Sequence, residues 1–286
     1  MRSRAWLIYA ITVTVLWGVW GALIEIPEKA GFPATLGYSV WALTMIPVTL
    51  IALKKVNWQL NYDKKSIIYG MLAGLLGSGG QLILFQTLRI GPAYIVFPII
   101  SLYPVVTIIL SIIFLKERAS IKAWIGIVLA LIAILLLSYV PPENSATEGL
   151  LWLILAITVF IMWGIQAYII KLASSGMNSE SITFYTMSSA IVLTPIAFMM
   201  TNFSEYINWG MSGSFAAIII QSLNAVGFLF FAYAIKYGKA IIVVPMMSLA
   251  PVITVIISLI LYSVMPHTIV MSGMIVAFIA IYLMAE

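Results

Sequence analysis

The sequence predicts an all-α integral membrane protein of about ten transmembrane helices, arranged as two inverted five-helix repeats with cytoplasmic N and C termini. Three observations predict it: a composition that soluble domains do not have, a regular succession of apolar runs of spanning length, and a motif that recurs once in each half. Of 286 residues, 63% are hydrophobic and 8% charged, with a mean hydropathy of +1.14. Soluble domains run at about 45–50% apolar and 25% charged. A bilayer accepts such side chains if each backbone polar group bonds within the chain, which helices achieve segment by segment.

A crossing takes about 20 apolar residues. Cutting at charges, Gly and Pro places spans at Ala5 to Glu25, Pro33 to Leu53, Ser66 to Leu88, Ala93 to Leu115 and Ile121 to Val140. Arg2 and Arg4 ahead of the first run resemble the start of a signal peptide. The run continues to about Ile26 without a small-residue cleavage site, so it reads as a helix that stays. Pro141 and Pro142, with Glu143 and Glu148 close behind, exclude a helix interior and mark a linker over 141–149. The chain thus divides into repeats at 1–140 and 150–286. The second repeat gives spans at Leu150 to Leu172, Ser179 to Met200, Gly213 to Ile235, Ala240 to Val264 and His267 to Met284.

Charge orients these spans. With the N-terminus inside, 12 of the 14 Lys and Arg residues fall on the cytoplasmic side and only Lys29 and Arg89 outside, as the positive-inside rule requires. The net charge of +5 therefore records topology and does not point to nucleic acid. The absence of cysteine excludes disulfides, thiolate metal sites and palmitoyl anchors.

The repeat lies in the fourth and ninth spans. Gly91, Ala93, Pro98, Ser101 and Pro104 match Gly238, Ala240, Pro245, Ser248 and Pro251, and the match runs on through Val105, Thr107 and Ser111 onto Val252, Thr254 and Ser258. Leu16-Trp17-Gly18 likewise matches Met162-Trp163-Gly164. Five spans per half send the second copy into the membrane from the opposite side. Such inverted repeats supply two conformations of similar energy, the requirement of alternating access.

These spans resemble the EamA repeat of the drug/metabolite transporter superfamily, as does the segment Gly91 to Ile134 with Ser101-Leu-Tyr-Pro104, Phe114-Leu-Lys-Glu117-Arg118 and Gly126. The resemblance covers nearly the whole chain. It implies a ten-helix transporter with a cavity lined mainly by the first, third, fourth, sixth, eighth and ninth helices, in a bacterial inner membrane. A monomer or a homodimer would serve, since one repeat pair can enclose a site. It leaves the substrate open among amino acids, sugars, nucleotide sugars, amines and drugs. The acidic corner ending the fourth helix is Lys116-Glu117-Arg118 in the first copy and Ser263-Val264-Met265-Pro266 in the second.

Polar groups at bilayer depth are costly unless paired or facing a wet cavity. Trp17, Ser78, Gln81, Tyr103, Trp163, Gln166, Gln221 and Asn224 lie within about two turns of the midplane on a rise of about 1.5 Å per residue. With Trp20 they form the candidate substrate site; the alternative for each is helix packing. Aromatic faces and neutral amides suit a neutral or zwitterionic metabolite, amino-acid-like and exported, or a sugar or nucleoside stacked on Trp17, Trp20 and Trp163. Glu25 and its repeat mate Lys171 are candidate gate or coupling groups, with protons the candidate ion. Arg89 and its mate Lys236, which precede the glycines that open the fourth and ninth helices, are likewise candidate coupling or gating groups, and partners for a carboxylate or phosphate should the substrate carry one. Interface anchoring and helix capping are the alternatives for these four. Pro98, Pro104, Pro245 and Pro251 interrupt two equivalent helices, as hinges or as packing kinks. A lone histidine, His267, and the lack of any nucleotide-binding loop or metal motif predict no catalytic, metal or cofactor site. A membrane scaffold or lipid-handling protein is the reading of another class.

Overall fold

A computed structural model describes residues 4–139, 150–262 and 266–285; Arg2, the linker at 141–149 and residues 263–265 of the second corner lie outside the described residues. Its elements are helices: α1 (Ala5–Leu23), α2 (Glu25–Lys29), α3 (Ala34–Lys55), α4 (Lys64–Ile90), α5 (Ala93–Ser101), α6 (Pro104–Phe114) and α7 (Ile121–Leu137) in the first repeat. The second has α8 (Leu151–Ala173), α9 (Ser179–Met199), α10 (Ala216–Tyr237) entered through a π-helical turn (Met211–Phe215), α11 (Ala240–Met247), α12 (Pro251–Tyr262) and α13 (Thr268–Met284). No strand occurs among the described residues. Eight helical segments are long and apolar enough to cross a membrane, and α7 and α13 are shorter apolar helices of 17 residues each.

Helix starts follow local chemistry. Asp63 accepts the Lys65 and Ser66 amides at 3.1 Å to begin α4, and Asn178 accepts the Ser181 amide at 2.7 Å to begin α9. The prolines divide into two kinds. Pro98 and Pro245 sit inside α5 and α11, whereas Pro104 and Pro251 open α6 and α12. Proline lacks an N–H and is at home in the first helical turn, so the fourth and ninth spans are each two helices with a break at the Ser-Leu-X-Pro motif.

The repeats interlock by exchange of partners. Helix α1 packs on α10 and α12, and its counterpart α8 packs on α4 and α6; α3 meets α9, and α7 meets α13. Individual contacts repeat under the same exchange. Thr107 Oγ1 donates to Gly164 O at 2.9 Å, and Thr254 Oγ1 donates to Gly18 O at 2.9 Å. A Cβ at Gly18 would overlap Ile253, and one at Gly164 would overlap Val106, so only glycine lets these crossings close.

Candidate functional site

Where the breaks of α5–α6 and α11–α12 face α1 and α8, the structure assembles a paired aromatic and amide cluster. Trp163 Nε1 donates to Gly77 O at 3.3 Å, and its repeat mate Trp17 reaches Asn224 O at 3.5 Å. Trp20 Nε1 donates to Gln221 Oε1 at 3.1 Å. The Tyr103 ring meets Trp163 edge-on at 6.0 Å, and its hydroxyl lies 2.9 Å from that of Ser248 on the opposite break. These contacts fix the rings across the two repeats.

Accessibility sorts the candidates. Trp17, Trp20, Gln81, Tyr103, Trp163, Gln166 and Asn224 are half-buried, whereas Ser78 and Gln221 are buried. Ser78 lies beside the Tyr38 hydroxyl, which donates to Ala190 O at 3.1 Å. Among the described residues no hydrogen-bond partner meets the side-chain amides of Gln81, Gln166 or Asn224. A half-buried amide without a partner, next to an indole held by its own N–H, presents a stacking surface and a free donor–acceptor pair to a small polar molecule.

The charged candidates occupy three environments. Glu25 is exposed on α2 and pairs with Lys29 at 2.5 Å, one turn along the same helix. Arg89 is exposed at the end of α4, and Lys236 donates to Met177 O at 3.3 Å. Lys171 is drawn inward. Its Nζ lies 3.0 Å from Ile235 O, 2.5 Å from Gly238 O and 3.7 Å from Glu117 Oε1, with the Glu117 side chain 9% exposed. Glu117 in turn accepts the Ala240 and Ile241 amides at 3.1 Å each.

That arrangement matches charge to backbone dipoles. Lys171 takes the carbonyl end of α10, Glu117 takes the amide end of α11, and the two side chains meet between them. Lys116 holds φ at 53°, a left-handed conformation uncommon outside glycine, at the corner that presents Glu117. In sequence, the positions equivalent to Lys171 and Glu117 are Glu25 and Val264. The pair therefore has no counterpart at the other end of the repeat.

Burial shows the same asymmetry. Every residue of α11 except Ile242 is buried, whereas in the equivalent α5, of the residues from Ile95 onward, only Val96 and Ile100 are. The half-helix beside the Glu117–Lys171 pair is sealed in, and its mate is partly open.

Sequence reasoning placed Glu117 in a corner motif without assigning it a partner. It also passed over a buried carboxylate, Glu180, which is 6% exposed and accepts a hydrogen bond from Tyr233. Its only signal was an acid in the first turn of a span. Groups of His, Cys, Asp or Glu able to hold a metal are absent among the described residues.

Comparison with known proteins agrees with this architecture. The model of the EamA-like transporter family matches residues 4–139 and 150–285. An uncharacterized protein of Methanocaldococcus jannaschii is 41% identical over 93 residues, 32% of this chain and 68% of its own. An uncharacterized transporter of Archaeoglobus fulgidus is 29% identical over 142 residues, about half of each chain at 47% and 48%. A solved crystal structure superposes with a TM-score of 0.77 at 15% identity, covering 99% of this chain and 96% of the other, a likeness of fold.

Proposed function

The chain belongs to the EamA-like transporter family, and from that premise we propose that it is a secondary carrier that moves a small neutral or zwitterionic metabolite by alternating access. Family membership makes it a multi-pass membrane protein of a transporter family. The finer statements are our reading. In it α7 and α13 also cross, since 17 residues reach the lower limit of about 17 for a spanning helix, giving ten crossings with both termini on the Lys-rich, cytoplasmic side.

The observation that carries the reading is the unequal closure of two equivalent half-helices. Two repeats able to exchange conformations should differ most where one gate is shut and the other is not. Helix α11 is buried and latched by Glu117 and Lys171, while α5 keeps an accessible face. We read this as the state closed toward the cytoplasm and open on the Arg89 side. Lys171 acts as a gate residue and Glu117 as its partner. Glu25 stands at the open rim, where a coupling proton is one role for it. Lys236 anchors the loop before α9.

The substrate meets Trp17, Trp20, Tyr103 and Trp163 as faces and Gln81, Gln166 and Asn224 as hydrogen-bonding groups, with Ser78 and Gln221 holding that wall from behind. No full charge lies among these nine, which favours a neutral or zwitterionic molecule over a dianion. A thermal-shift screen of purified protein against amino acids, sugars, nucleosides and amines tests the reading, because a ligand of the native state raises its stability. A shift from one class, lost in Trp163→Ala and in Gln81→Ala, is the expected result. A shift that survives both substitutions would place the substrate elsewhere, and silence from every class would turn the reading toward a scaffold.

A further inference from the structure

Beyond the central cluster, α4, α8 and α9 enclose a groove of about 390 Å³ lined by Gly79, Leu82, Ile83, Gln86, Leu155, Leu193, Ile196 and Met200. Gln86 is its only side chain with hydrogen-bonding groups. Water needs two to four polar partners to stay in such a space, and the helices around it are of spanning length, so hydrocarbon is its surroundings.

The other repeat shows what ordinarily fills this position. The residues equivalent to Leu155, Ile83 and Gln86 are Tyr9, Phe230 and Tyr233. There the Tyr9 ring stacks on Tyr233 at 5.2 Å and lies 5.9 Å from Phe230. Three rings occupy in one half the volume that two aliphatic chains and an amide leave vacant in the other.

We propose that this groove is a phospholipid site that takes one acyl chain, with Gln86 and Arg89 serving the ester and phosphate at its mouth. Gly79, Ile83 and Gln86 follow helical spacing along one stripe of α4, and Arg89 continues that stripe one turn farther, exposed at the helix end. Apolar lining deep in the span, a single amide near its end and a cation beyond it reproduce the order of tail, ester and phosphate in a lipid. A helix from a second copy fits poorly, since one turn about 10 Å across and 5.4 Å long would by itself fill a volume of about 400 Å³.

Native mass spectrometry of the full chain, exchanged from dioleoylphosphatidylglycerol or dioleoylphosphatidylcholine into mild detergent, tests this. One retained phospholipid per chain is expected, with phosphatidylglycerol held better. Retention should fall at least tenfold when the aromatic filling is transplanted as Ile83→Phe, Gln86→Tyr and Leu155→Tyr together. The single Gln86→Tyr variant should show the same direction with less disturbance of folding. Arg89→Ala should abolish the preference for phosphatidylglycerol. Val128→Phe, on an exposed face of α7, should retain lipid as the parent does. Equal retention in the filled variants overturns the proposal. So does equal loss in Val128→Phe, which would mean annular lipid only. Detergent in place of lipid, or a dimer dispersed by Gln86→Tyr, overturns it in favour of those occupants.

Discussion

Glu117 and Lys171, 54 positions apart in the chain and 3.7 Å apart in space, close the junction between α10 and α11 by taking one backbone dipole end each. Neither group is isolated: Glu117 has two amides and Lys171 two carbonyls. Breaking a fully buried ion pair by removing one partner costs about 3–5 kcal/mol. Lys171 is about a fifth exposed, so a smaller cost, about 2 kcal/mol, is expected here.

If that energy holds α11 in place, Glu117→Gln should shift the resting state. The chain has no cysteine, so a lone Ser248→Cys reports access to the break between α11 and α12. In oriented vesicles an impermeant maleimide added from the Lys-rich side should label Glu117→Gln about thirtyfold faster than the parent, since every 1.4 kcal/mol is a factor of ten and about 2 kcal/mol is lost. Lys171→Gln should act in the same direction. Unchanged rates in both would remove the latch from the mechanism.

Trp20 and Gln221 make a different kind of pair, in which a buried amide oxygen depends on one indole N–H at 3.1 Å. Trp20→Phe leaves that amide unsatisfied and should cost about 1–3 kcal/mol. Replacing both partners removes the desolvation penalty, so Trp20→Phe with Gln221→Met should be more stable than Trp20→Phe alone. Thermal unfolding of the four proteins in one detergent measures the cycle, and additive losses would mean that the hydrogen bond contributes nothing.

Gly80 lies against Trp163, where a Cβ would stand 2.6 Å from Nε1. Gly80→Ala must push the indole off Gly77 O, and overpacking of this kind costs about 1–3 kcal/mol. The variant should unfold at a lower temperature and lose any ligand-induced shift that depends on Trp163. Adding Trp163→Phe should recover the stability, because the smaller ring vacates the contact, without recovering the ligand response. Stability unaffected by Gly80→Ala would mean that the wall is looser than the crossing implies.

How far these features were legible depended on whether chemistry left a trace in one dimension. Apolar runs and the two copies of Gly-X-Ala…Pro…Ser-Leu-X-Pro announced helices and repeats, because crossing a bilayer constrains every residue of a span. Trp17 and Trp163 stood out for the same reason, as repeat mates at midplane depth. The Glu117–Lys171 pair was illegible as a pair, because nothing in a corner motif states which distant helix end it will cap. Gln221 read as a substrate amide, and its burial behind Trp20 depends on a tertiary contact across 201 positions. The fourth and ninth spans read as kinked helices, whereas proline at the first helical position produced full breaks.

Glu180 carries the remaining prediction. It is buried at the start of α9 and accepts a hydrogen bond from the Tyr233 hydroxyl, whose ring stacks on Tyr9, which in turn stacks on Tyr237. A buried carboxylate deprived of its donor loses more than a neutral group would, since hydrogen bonds to charged groups are worth about 1.5–3 kcal/mol. Tyr233→Phe should therefore destabilise the protein by about that amount. Glu180→Gln alone keeps an acceptor for the phenol and should cost less than Tyr233→Phe. Combined with Tyr233→Phe it should soften the loss, because an unpaired amide is cheaper to bury than an unpaired carboxylate. Thermal unfolding of the single and double variants decides it: a double variant as unstable as the sum of the singles would show that Tyr233 stabilises α9 and α10 through ring packing and not through Glu180.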